Sequence, residues 1–251
     1  MEEGYVNCTR ENDISTIEFY HPLSNSMPGT LLRQLTETLQ KESESETKVI
    51  IIKSAGEKAF CAGANFGELM AVNNEEQGLE FFSGFAHVIN AMRLNKKLII
   101  ARVQGKCVGG GVGIASAADY TIATNEASIK LSELALGIGP FVIGPSVVRK
   151  IGQGAYSELA IDASSWRSAQ WAGEKGLFNE VYSTIEEVDK AVQRLAGTLS
   201  QYNPEAMTEM KKVFWEGTDN WEPVLKERAA ISGRLVMSTY TRNAIQKFKK
   251  K

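Results

Sequence analysis

Val103-Gln104-Gly105-Lys106-Cys107-Val108-Gly109-Gly110-Gly111-Val112-Gly113-Ile114 is the stretch that decides how this chain is read. A run rich in β-branched residues (Leu98 to Val103) feeds a triple glycine, which opens an apolar helix of small residues. Three adjacent glycines cost backbone entropy, so the chain there needs unusual φ/ψ values or a very close approach to something. A helix start also leaves amide N–H groups without partners at the positive end of the helix dipole, where negative charge can be held. Contiguous glycines do not match the G-x-G-x-x-G spacing of a dinucleotide site, and the lysine-serine pair of a P-loop is absent. Two readings stay open at this point: close helix–strand packing, or an amide-lined anion pocket. Twenty positions on, Leu131-Ser132-Glu133-Leu134 supplies a carboxylate that could serve as a base.

Outward from this stretch the pattern is α/β. Val49-Ile50-Ile51-Ile52 and Leu98-Ile99-Ile100-Ala101-Arg102-Val103 read as strands covered on both faces. Tyr5 to Cys8 and Ile14 to Phe19 alternate as a strand pair around a turn at Glu11-Asn12-Asp13. Pro28 suits the first turn of a helix carrying Leu31, Leu32, Leu35 and Leu39 on one face, with Lys41 to Thr47 a polar connector. Ser54 to Gly67 reads as a loop, Gln77 to Leu94 as a helix, and Asp119–Thr124 and Ala127–Leu131 as short strands. Beyond Ser146 the chain reads as mainly helical, near 145–151, 154–162, 168–174, 186–201, 203–216 and 221–240, with a short strand at Asn179–Tyr182.

Bulk properties narrow the function classes. A net charge of −2 gives no general attraction for nucleic acid. No segment reaches the roughly 18 apolar residues that a membrane span needs, and the acidic N-terminus lacks a signal-peptide pattern. Cys8, Cys61 and Cys107 stand far apart without metal-type spacing, so free thiols in a cytoplasmic setting are expected. With His21 and His87 the only histidines, neither a histidine triad nor a metal site is expected.

The loop after Val49–Ile52 follows a buried strand just as the triple glycine does, and two loops at the carboxyl ends of parallel strands could aim two amides at one oxygen. At this point the chain resembles the crotonase superfamily, the enoyl-CoA hydratases and isomerases. Lys58-Ala59-Phe60-Cys61-Ala62-Gly63-Ala64-Asn65 is similar to the family's K-x-F-x-A-G-x-D loop, and Gly105 to Gly111 to its G-x-x-x-G-G-G. Ala117-Ala118-Asp119 and Gly176-Leu177-Phe178-Asn179-Glu180-Val181-Tyr182 continue the series. The resemblance implies a crotonase fold, a spiral of ββα repeats over 1–195, with a C-terminal helical region over 196–251 used for trimerisation. It implies a homotrimer or a dimer of trimers, and no metal or redox cofactor, since coenzyme A arrives as part of the thioester substrate.

By the same resemblance the backbone N–H groups of Ala64 and Gly110 form an oxyanion hole for the thioester carbonyl, and Glu133 is the catalytic acid/base. Ser24, Ala62 and Ala64 would line the coenzyme, Gly109, Gly110 and Gly113 would also contact substrate or coenzyme A, and Phe141 would shape the acyl pocket. Phe248 and Lys251 fall where the family contacts the nucleotide of a neighbouring subunit. Gly67 replaces a lysine that many members place against the 3′-phosphate. Gly113 stands where two-carboxylate hydratases carry their first glutamate. Gly137 to Val148 is similar instead to a bacterial branch associated with leucine breakdown, the methylglutaconyl-CoA hydratases, and Phe141 and Val142 would suit a short branched acyl chain. Lys130 and Arg149 are the nearby cations that could meet a distal carboxylate. Reversible hydration of a short or branched 2-enoyl-CoA is therefore expected. The alternatives are a Δ3-Δ2-enoyl-CoA isomerase using Glu133 alone, a non-catalytic acyl-CoA-binding member, or a dehydratase or decarboxylase acting on acyl-carrier-protein thioesters. The space beside Gly113 discriminates: a water held opposite Glu133 marks hydration, and a dry apolar wall marks isomerisation.

Overall fold

The computed structural model describes residues 4–249, with side chains described through residue 247. Alternating residues pair Tyr5–Glu11 (β1) with Ile14–Tyr20 (β2) in an antiparallel hairpin. Its two turn residues, Asn12 and Asp13, both take positive φ (49° and 65°), the geometry that matches strand twist in a two-residue turn. Gly29–Ser43 (α1) follows Pro28 and runs into what reads as the polar connector, burying Leu31, Leu32, Leu35 and Leu39. Then come Val49–Ser54 (β3), Ala59–Cys61 (β4), Phe66–Ala71 (α2), Glu75–Arg93 (α3), Leu98–Val103 (β5), Lys106–Val108 (β6) and Gly110–Ala117 (α4).

Tyr120–Thr124 (β7), Ser128–Lys130 (β8), Gly144–Ile161 (α5), Arg167–Ser168 (β9), Ala169–Glu174 (α6) and Glu180–Tyr182 (β10) complete two sheets. The larger has the order β1-β2-β3-β5-β7-β10, all parallel after the first hairpin. The smaller has the order β4-β6-β8-β9, with β4, β6 and β8 parallel. The apolar runs of β3 and β5 are buried because helices cover both faces of the larger sheet. Ile51, Ile100 and Ile122 meet Val188, Val192 and Ala196 of Ile185–Ser200 (α7), while Ile50, Ile52 and Ile99 join the core shared with α1 and α3.

Pro204–Phe214 (α8), Trp221–Val236 (α9) and Thr239–Lys249 (α10) finish the chain. The helix expected over 221–240 divides because Ser238 Oγ accepts the Thr241 amide at 3.2 Å and starts a new helix. α5 carries the expected break near 152 as a non-helical Gly152 (φ 75°, ψ 163°). The division expected at 195/196 falls inside α7. A buried polar cluster ties α8 to the larger sheet: Lys211 Nζ donates to Asp119 Oδ2 at 2.8 Å and to the Lys97 carbonyl at 2.7 Å, and Trp215 Nε1 donates to Asp119 Oδ1 at 3.1 Å. Among the described residues no helix is long and apolar enough to cross a membrane.

Candidate active site

Because β4 and β6 run parallel, the chain leaves both at one end, and the loop Ala62–Asn65 emerges beside Gly109 and Gly110. Their approach leaves no room for side chains. A Cβ on Gly63 (φ +86°) would lie 2.9 Å from the Val108 carbonyl oxygen and 3.6 Å from the Gly110 nitrogen; one on Gly111 would lie 2.5 Å from the Cys61 carbonyl oxygen. Close packing, one of the two open readings of the triple glycine, is what these contacts show, and the amides that the other reading calls for stand at the loop tips. Gly110 opens α4, so its N–H has no intrahelical acceptor. Ala64 bridges Met27, whose amide donates to Gly63 O at 2.8 Å.

Gly109 takes φ 51° and ψ −115°, and its amide donates to Lys130 O of β8 at 2.9 Å. Three residues beyond Lys130, Glu133 begins a tight turn over Leu134–Leu136 that closes at Gly137 in the left-handed region (φ 83°). This folds the Glu133 carboxyl back against Gly109, where a Cβ would sit 2.7 Å from Oε1. Glu133 as a residue is partly exposed, but Oε2 is solvent-excluded and has no hydrogen-bond partner. Burial disfavours the charged form and pushes the carboxyl up to about 7.

Glu133 lines a cavity of about 90 Å³ together with Phe82 and Phe85 of α3, Ser232 of α9, and Phe141 and Ile143 of the segment before α5. The Phe85 ring lies on Gly110: a Cβ there would meet a ring carbon at 2.1 Å. Beside Gly113 stands an apolar wall, since a Cβ at that position would be 2.5 Å from Ile143 Cγ2 and 3.7 Å from Ile89 Cδ1. An acid able to hold a proton near neutrality, unpaired amides and an apolar enclosure together suit proton transfer to or from carbon next to a polarised carbonyl.

Ala62, Ala64, Gly109, Gly110, Glu133 and Phe141 come together around this cavity, and Gly113 lies behind it against Ile143. Ser24 joins them through its carbonyl, which accepts the Ala62 amide at 3.2 Å, in a turn where Ser24 itself takes φ 54°. Phe248 and Lys251 lie outside the residues whose side chains are described. Gly67 sits in the first turn of α2. Lys130 and Arg149 turn away from the cavity. Lys130 donates to Ser164 O at 2.7 Å and lies over the Trp166 ring; Arg149 donates to Phe214 O at 2.8 Å and stacks 3.8 Å from the Trp215 ring centroid. Arg228 of α9 stands behind Phe141 without lining the cavity, its Nη1 donating to the Phe141 carbonyl at 3.4 Å. Sequence reading missed it because α9 cannot be placed against the Phe141 loop from periodicity alone. Among the described residues no group of three or more His, Cys, Asp or Glu side chains is arranged to hold a metal ion.

Solved structures share this architecture. An enoyl-CoA hydratase from Bacillus halodurans superposes with a TM-score of 0.89 over 97% of this chain and 99% of its own, at 20% identity. By sequence, the short-chain-enoyl-CoA hydratase of Clostridium acetobutylicum is 29% identical over 86% of this chain and 83% of its own length. The carnitinyl-CoA dehydratase of Escherichia coli K12 is 30% identical over 83% of this chain and 79% of its own. The enoyl-CoA hydratase/isomerase family pattern matches residues 9–251. The chain belongs to the enoyl-CoA hydratase/isomerase family, and its mixed α/β architecture of ββα repeats with a C-terminal helical region is the crotonase fold.

Proposed function

We propose that the protein moves a double bond in a short 3-enoyl-CoA, using Glu133 as the single proton carrier. In this reading the amides of Ala64 and Gly110 donate to the thioester oxygen, each worth about 3 kcal/mol to the developing enolate. Glu133 takes a proton from C2, the electron pair moves into the enolate and back out through C3, and the same carboxyl returns the proton to C4. Atoms balance with no water consumed. The observation that carries this choice over hydration is the apolar wall at Gly113. Ile143 and Ile89 fill the space where a second acid would position a nucleophilic water. A carboxyl near pH 7 is suited to both taking and returning the proton.

Hydration of a 2-enoyl-CoA is the second reading, supported by the hydratase and dehydratase relatives and by the Ser232 hydroxyl on the cavity wall. For the acyl group, the small cavity supports a short or branched chain; a distal carboxylate such as that of methylglutaconyl-CoA would need Arg228, which pairs with no carboxylate among the described residues, to reach past Phe141. Coenzyme A would run past Ser24 and Ala62. A homotrimer or dimer of trimers, with 196–251 as its helical region, would bring Phe248 and Lys251 to a neighbour's nucleotide.

The test is parallel assay of 3-hexenoyl-CoA isomerisation and of crotonyl- and methylglutaconyl-CoA hydration, with wild type and Glu133→Gln. Isomerisation lost by at least 100-fold in the variant is expected. Hydration without isomerisation would transfer the assignment to the second reading. Equal background rates in both proteins on every thioester would leave a non-catalytic acyl-CoA-binding role.

A further inference from the structure

α3, which lines the acyl cavity with Phe82 and Phe85, and α9, which lines it with Ser232, cross at a pair of glycines. A Cβ on Gly78 of α3 would lie 2.6 Å from the Gly233 Cα of α9, and one on Gly233 would lie 2.8 Å from the Gly78 carbonyl carbon and the Leu79 nitrogen. Both glycines are buried. Carbon atoms need about 3.5–4.0 Å, so a methyl on either helix requires a separation of about 1 Å. α3 cannot easily supply that movement. On its α1 side a Cβ at Gly84 would already be 2.7 Å from Leu32 Cδ1, and on its α4 side the Phe85 ring is seated on Gly110. The displacement therefore falls on α9, and Ser232, the cavity residue of α9, is the immediate neighbour of Gly233.

We infer that the Gly78–Gly233 crossing sets the length of acyl chain this enzyme accepts, by holding the Ser232 wall of α9 against Phe82 and Phe85 of α3. The glycines touch no substrate; they position the walls that do. This inference rests on the reading that the cavity beside Glu133 is the acyl site, and it deepens that reading by assigning its length limit to a backbone contact.

The experiment measures kcat/KM on a C4, C6, C8 and C10 enoyl-CoA series for wild type, Gly233→Ala, Gly78→Ala and Phe82→Ala, together with binding of butyryl- and octanoyl-CoA. One methylene in an apolar pocket is worth roughly 10–200-fold, so each glycine variant should raise the C8:C4 ratio by about tenfold or more, with the C4 rate falling. Phe82→Ala removes a wall directly and reports whether this cavity holds the chain. If Phe82→Ala shifts the ratio and the folded glycine variants do not, the inference fails while the acyl-site reading stands. If Phe82→Ala leaves the ratio unchanged and Glu133→Gln retains activity, the reading itself fails. Should neither glycine variant fold, Gly233→Ala combined with Leu32→Ala, which clears the α1 side of α3, decides: a C8:C4 ratio raised relative to Leu32→Ala alone supports the inference, and an unchanged ratio overturns it.

Discussion

Replacing Glu133 by Gln should make the protein relatively more stable at alkaline pH, even as it removes the proton carrier. A carboxyl whose folded-state value is raised by burial binds its proton more tightly folded than unfolded. Its contribution is complete below the unfolded value near 4.5 and is lost as pH rises through about 7. The span between those values corresponds to about 3 kcal/mol. Between about pH 4.5 and about pH 8.5, wild type should thus lose about 3 kcal/mol that the Glu133→Gln variant keeps. The variant carries its own buried-amide cost, which is the same at both pH values and cancels in the difference. Urea unfolding of both proteins at the two pH values measures it, with other titrating groups common to both. A difference between the proteins that does not change with pH would mean that the carboxyl is solvated or paired, and the argument for a raised acid would fall.

Asp119→Asn should be the most damaging conservative change outside the cavity. It leaves the buried Lys211 ammonium without its counter-charge, at a cost of about 3–5 kcal/mol, and thermal unfolding should fall by about 10 °C; a drop under about 3 °C would refute it. Gly113→Glu alone should be poorly tolerated because its Cβ collides with Ile143 Cγ2. Combined with Ile143→Gly, which removes both the Cγ2 at 2.5 Å and the Cβ at 2.9 Å, its Cβ has room, and the double variant should gain crotonyl-CoA hydration relative to Ile143→Gly alone; no gain would show that the wall is not what limits hydration.

The β3 and β5 runs were legible because a strand buried on both faces must be apolar throughout, and Leu31, Leu32, Leu35 and Leu39 marked α1 by period. In the smaller sheet β8 was legible within the strand expected over Ala127–Leu131, but β4, β6 and β9 were not, being two or three residues long and too short to show alternation. β4 is hidden in a Gly/Ala loop, and β6 lies inside the glycine motif itself. At the site, the resemblance to the family's two loop motifs pointed to Ala62–Ala64, Gly109–Gly110 and Glu133, which line one cavity. Ile143 against Gly113, Gly233 against Gly78 and Arg228 behind Phe141 are contacts between distant segments, set by how helices dock. Lys130 and Arg149 show the converse: closeness in sequence to Glu133 suggested cations for the cavity, and packing on Trp166 and Trp215 took them elsewhere.

The Gly109 amide bonded to Lys130 O has a consequence for how such a protein can diversify. That bond fastens the glycine turn to the strand that leads, three residues later, to Glu133, so the groups proposed for chemistry are registered to one another through main chain. The groups proposed to choose the substrate hang from α3 and α9, whose separation depends on two glycines. Under mutation, then, preference and chemistry are separately adjustable: new acyl groups can be explored through the helices while the amide-to-acid spacing is inherited unchanged.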